Sequence, residues 1–137
     1  MRLDHFMATV YLGDRACKSI TVDGWNERVT LAIDEISRVR SAAGTWDYYN
    51  DENVVDGALV FTEVKSFGLV PLGPLPSGYI DVESVQLVDD QEDMFLVKFN
   101  VQGTFPLLNS TRMQTIEIVA KGVHIADPRR PGIEVHE

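Results

Sequence analysis

With 137 residues, 45% of them hydrophobic and 24% charged, the chain has the make-up of one ordinary globular domain, which excludes a wholly disordered or low-complexity protein. Area scaling gives roughly 7,000 Å² exposed when folded against roughly 22,000 Å² unfolded, enough burial for an independent core. The net charge of -9 is confined to the middle: residues 41–111 hold eleven acids and two bases (Lys65 and Lys98), while the flanks hold ten of each, so direct binding to a phosphate backbone is not expected.

In chain order, Leu3, Phe6, Met7 and Val10 recur at i, i+3, i+4 and i+7, which predicts a short amphipathic helix over residues 2–11 stopped by Gly13. The same opening residues are interrupted by Asp4, His5 and Thr9 and lack the apolar run of a signal peptide. No segment approaches the length of a membrane span. Cys17 is the only cysteine and cannot form an internal disulfide, so a cytoplasmic protein without membrane contact is expected. Cys17 itself reads as a small buried residue near a strand start rather than a reactive thiol.

The period then changes to two. Ile20 and Val22 alternate with polar neighbours, "DGWNE" turns the chain, and Val29, Leu31 and Ile33 alternate on the far side, a hairpin whose loop exposes Trp25. Residues 35–40, "EISRVR", either continue that strand with a phase shift or form a single helical turn. "ALVFTEV", residues 58–64, follows Gly57 and is predicted to be a central strand. "SFGLVPLGPLPSGY", residues 66–79, contains three prolines and is expected to be a crossing loop.

In "YIDVESVQLV" the apolar positions move from Ile80 and Val82 to Val85 and Leu87, the phase slip that a β-bulge produces. "DDQED", residues 89–93, is a turn. Phe95, Val97, Phe99 and Val101 alternate without fault, and Ile116, Ile118 and Ala120 answer them after a polar loop around Pro106. The closing "DPRRPGIEVHE", residues 127–137, has two prolines and is expected to be a partly ordered tail. The sum is a mainly β single domain spanning 1–137: one short N-terminal helix and about seven antiparallel strands in a small barrel or curved sandwich.

Catalytic and cofactor motifs are missing from the sequence. Setting Gly57 at the turn position of a calcium loop places Glu52, Val54 and Asp56 at its first ligand positions and Glu63 at its last, but valine offers no side-chain oxygen, and the following residues read as a strand. His5, His124 and His136 are scattered and give no zinc signature, so neither a metal nor a cofactor is expected. Nothing in the spacing of the acids selects a pair for acid/base work. What stands out is "WDYYNDENVVDG", residues 46–57, where a tryptophan, two tyrosines and four carboxylates occur with no base. Large amphipathic rings among charges suit a binding surface, although Trp46 and Tyr48 could instead close one end of the core.

The segments "YLGDRACK", "DGWN", "WDYYNDENVVDGALVF" and "KGVHIADP" together resemble small, mostly uncharacterised bacterial proteins of the toxin-immunity type. The resemblance implies a cytoplasmic binder that occupies a toxin's active surface, and it assigns no site residue. The leading expectation is a non-enzymatic module that engages a basic protein through Trp46, Asp47, Tyr48, Tyr49, Asp51, Glu52 and Asp56, joined by Asp89–Asp93. A small-molecule-binding or catalytic β-barrel is the alternative. A homo-oligomeric subunit burying Trp25 and Trp46 against a second copy is the third.

Overall fold

The computed structural model describes residues 1–39, 52–105 and 110–137, and the side chains of residues 104, 105, 110 and 111 are left aside. Its organising element is the pair formed by β9 (Met94–Phe105) and β10 (Ser110–Ala120), in antiparallel register from Phe105 opposite Ser110 to Phe95 opposite Ala120. Alternation points Phe95, Val97, Phe99 and Val101 to one face, where they meet Ile116, Ile118 and Ala120, and all seven are buried. β7 (Ser66–Val70) flanks β10, and β8 (Pro76–Asp89) flanks β9, giving the order β7-β10-β9-β8. The register of β8 against β9 shifts between Val82 and Ser84, where the apolar phase slips in the sequence.

A five-stranded antiparallel sheet contains β2 (Cys17–Asp23), β3 (Arg28–Ile33), β6 (Ala58–Thr62), β11 (Gly122–Ala126) and β12 (Glu134–Val135), in the order β12-β11-β6-β3-β2. The third sheet, β1-β4-β5, is formed by β1 (Val10–Tyr11), β4 (Glu35–Arg38) and β5 (Asn53–Val55). The protein is therefore mainly β with one short helix, but with twelve strands among the described residues rather than about seven. The difference arises at corners, where one long strand serves two sheets. β3 passes into β4 at Asp34, and β5 into β6 at Asp56 and Gly57. There Ile33 N–H donates to Gly57 O (2.9 Å) and Asp56 N–H to Asp34 O (2.8 Å), carrying the pairing around the bend.

β6 passes into β7 at Glu63 and β10 into β11 at Lys121, with Lys65 N–H donating to Val119 O (2.8 Å). Asp56 and Glu63 bend the chain through left-handed backbone, φ 55° and 51°. Gly57 is required for another reason: a Cβ there would lie 2.8 Å from Val54 Cγ1. "EISRVR" thus continues the preceding strand with a phase shift through Arg38, the first of its two expected outcomes. Among the described residues the three sheets do not close into a barrel: the edges of β2 and β8 are joined near Ala16 and Tyr79 by an isolated bridge, supplemented by Ile80 N–H donating to Arg15 O (3.0 Å).

Two further expectations are corrected. The helix, α1, covers only Leu3–Met7, because Thr9 N–H turns back to Phe6 O (3.0 Å) and Val10–Tyr11 pair with β4 instead. The loop expected over residues 66–79 shrinks to 71–75: β7 precedes Pro71, and Pro76 begins β8, a position where a strand tolerates proline. As expected, β6 is central, Trp25 is 93% exposed, and Cys17 is buried at the start of β2. Burial pushes the Cys17 thiol up, which disfavours the reactive thiolate.

Phe61 and Phe99 meet edge to face, 5.9 Å between centroids, joining the five-stranded and four-stranded sheets in one core. α1 contributes Leu3, Phe6 and Met7 to that core. Arg38 is buried beside it: its guanidinium lies 4.4 Å from the Phe6 ring centroid, Nε donates to Thr9 Oγ1 (2.6 Å) and Nη1 to Glu137 O (2.9 Å). One cation thus ties α1, β4 and the residues after β12 together. Phe99→Ala should lower unfolding free energy by about 3–5 kcal/mol in urea titrations, since it removes the ring joining two sheets and leaves a cavity.

Candidate functional site

Five of the seven residues expected to form the binding surface, Trp46, Asp47, Tyr48, Tyr49 and Asp51, lie outside the described residues. Glu52 is half-buried just before β5, where its carbonyl accepts the Arg38 N–H (3.1 Å). Asp56 is exposed at the corner between β5 and β6, and its carboxylate accepts from Lys18 Nζ (2.8 Å). That hydrogen bond and the ammonium charge hold the Asp56 carboxyl below its ordinary value. Asp56 is therefore a corner residue with its own counter-charge.

The uncompensated acids are elsewhere. From Pro76 to Asp93 the chain holds six acids, Asp81, Glu83, Asp89, Asp90, Glu92 and Asp93, and no base. This stretch is β8 and the turn that follows it. β8 is fourteen residues long and is an edge strand, so past Ile80 its outer backbone edge has no ladder partner among the described residues. Ile80, Val82, Val85 and Leu87 are registered against the buried row of β9, at Val101, Phe99, Val97 and Phe95. Alternation around the bulge sends Asp81 and Glu83 outward, and both are exposed.

In the turn, Asp89 Oδ1 accepts the N–H groups of Gln91 (3.1 Å) and Glu92 (3.3 Å), and Asp93 takes left-handed backbone at φ 50°. Glu92 pairs with Lys121 at 2.6 Å, and Asp93 lies 3.9 Å from Arg2, which is itself bound to Asp4 at 2.8 Å. Asp81, Glu83, Asp89 and Asp90 have no ion pair among the described residues. Tyr79, Leu87 and Val88 are exposed along the same strand. Trp25 does not join them: the antiparallel Ala16–Tyr79 bridge sends β2 alongside the residues before Tyr79, away from the acids.

The histidines are less scattered than their sequence positions suggest. β11 and β12 pair Ile125 with Val135 and Ala126 with Glu134, and the same register carried one step on sets His124 opposite His136. Glu134 in β12 and His136 just past its end are two apart in sequence, so alternation carried one step beyond the strand sets them on one face. His124 Nε2 is 3.7 Å from Glu134 Oε1, His136 Nε2 is 3.0 Å from Glu134 Oε2, and the imidazole centroids are 5.2 Å apart. His124 is buried, whereas Glu134 and His136 are exposed. Burial pushes the His124 imidazole below its ordinary value, the Glu134 carboxylate partly offsets this, and His136 and Arg28 press it further down. These three residues could hold a metal, and the sequence signal for them is the alternate pair in "EVH".

A model of a family of unknown function, DUF6258, matches residues 1–137. The chain belongs to the DUF6258 family. No curated protein and no solved structure matches it. Among the described residues of this DUF6258 chain, no helix is long and apolar enough to cross a membrane.

The Asp56 carboxyl should titrate below the ordinary aspartate range when followed by NMR, and Lys18→Met should return it upward. The sign follows from the pairing: a carboxyl lowered by a cation contributes stability above its unfolded-state value, and loses it as pH falls through the folded one.

Proposed function

We propose that this DUF6258 protein is a cytoplasmic, non-enzymatic binding module of the toxin-immunity type, which docks a basic protein partner along the acidic edge formed by β8 and the β8–β9 turn. The observation that carries the reading is the run of six acids without a base, three on the fourteen-residue edge strand β8 and three in the turn that follows it. Four of these acids are without an ion pair among the described residues, so a partner's lysines and arginines would meet charge that the fold has not neutralised. An unpaired strand edge also offers backbone donors and acceptors to an extended segment of the partner.

Asp4, Asp23 and Asp56 are all held low, by hydrogen bonds from Arg2, Asn26 and Lys18, and stay ionised as surface anions. A second reading, an apolar small-molecule site, has one observation in its favour. A cavity of about 470 Å³ lies between β2 and β7, lined mainly by Ile20, Val22, Phe67, Leu69 and Leu75.

The experiment is capture of partners from native lysate by the tagged full chain at about 0.1 M and about 1 M salt, where the screening length falls from about 10 to about 3 Å. A partner should be held at low salt and released at high salt. The combined Glu83→Lys, Asp89→Lys and Asp90→Lys variant should bind it at least about tenfold more weakly. Trp46→Ala and Asp51→Lys report separately on the aromatic stretch. Recovery unchanged by the β8 charge reversals counts against this edge.

A further inference from the structure

We propose that His124, Glu134 and His136 form a binding site for a first-row divalent ion of the zinc type, clipping β12 to β11 on the outer face of the five-stranded sheet. The site lies apart from the acidic edge and does not depend on the docking reading.

Sheet geometry makes the donor set. Antiparallel register sets His124 opposite His136, and the two-residue repeat of β12 sets Glu134 on the same face, so one ligand atom from each lies within 4.8 Å of the others. Around a zinc ion with bonds of about 2.0–2.1 Å, tetrahedral donors stand about 3.3 Å apart. The separations of His136 Nε2 from Glu134 Oε2 (3.0 Å) and of His124 Nε2 from Glu134 Oε1 (3.7 Å) bracket that value, one at each oxygen of the carboxylate. Holding one ion requires the three side chains to close from separations of up to 4.8 Å, and His136, 57% exposed at its side chain, has room to change rotamer.

The donor chemistry selects the ion. Two imidazoles and one carboxylate suit zinc and its first-row neighbours, whereas calcium and magnesium prefer all-oxygen shells. Three protein ligands leave a fourth position for water or for a ligand atom from another molecule. A surface ion pair accounts for His136 against Glu134, whereas His124 is a buried imidazole whose Nε2 stands 3.7 Å from the other oxygen of the same carboxylate. β12, which carries Glu134 and is followed directly by His136, is only two residues long and is otherwise held by its pairing to Ile125 and Ala126 and by Arg38 reaching Glu137 O. A metal bridge would therefore fasten the least supported strand of its sheet.

The test is calorimetric titration of the full chain with Zn²⁺, alongside visible absorption of the Co²⁺ form. One equivalent should bind saturably, Co²⁺ should show the intense d–d bands of a tetrahedral ion, and Tm should rise by roughly 5–10 °C at a hundredfold excess over Kd. His136→Ala and Glu134→Gln change exposed side chains and should fold normally. Each should raise Kd at least about tenfold, since outer-sphere partners alone are worth roughly 10–100-fold. His5→Ala should leave Kd unchanged. Absence of saturable binding, binding that survives His136→Ala, or binding lost in His5→Ala would overturn the assignment.

Discussion

The row of Phe95, Val97 and Phe99 packed against Ala120, Ile118 and Ile116 is the constraint on which the rest of the molecule depends. Because side chains alternate, burying this row fixes the register of β9 on β10, and a slip of one residue would turn the whole row to solvent. β8 must match the same row with Ile80, Val82, Val85 and Leu87, and it does so only by inserting a bulge. The acids between and beyond these positions are thereby turned outward. The acidic edge is a by-product of the core's register, and its exposure does not require the acids to make any contact of their own.

The second constraint is the use of corners in place of loops. Backbone pairing continues around the bends at Asp34 with Asp56, and at Lys65 with Val119, so the sheets share one core without interrupting their hydrogen bonding. Acidic residues occupy the left-handed positions at two of these corners, Asp56 and Glu63. Part of the acid-rich composition of the middle segment therefore belongs to architecture. Asp56 illustrates the distinction: it was expected on a docking surface, yet it turns a corner and is neutralised by Lys18.

What was legible in the sequence was whatever depended on uninterrupted alternation: β9, β10, the hairpin of β2 and β3 with Trp25 at its tip, and the bulge in β8. What was hidden depended on breaks in that alternation. A strand bent through one left-handed residue looks like a phase slip or an ending, so two-sheet strands were undercounted. Prolines at 71, 74 and 76 concealed β7, because they fall beside it rather than in it. His124 and His136 are separated by eleven residues that include two prolines, and only the pairing of β11 with β12 places them together. The aromatic stretch Trp46–Tyr49, the most conspicuous feature of the sequence, lies outside the described residues.

The central claim is that β8 is an open, acid-lined edge fixed by a rigid β9–β10 ladder, and residue-resolved amide hydrogen exchange tests it directly. Slow exchange is expected throughout the centre of β9 and β10, with alternate amides of β8 beyond Ile80 exchanging fast because they face solvent. Uniformly slow exchange along β8 would mean that another part of the chain covers this edge, and would contradict the account.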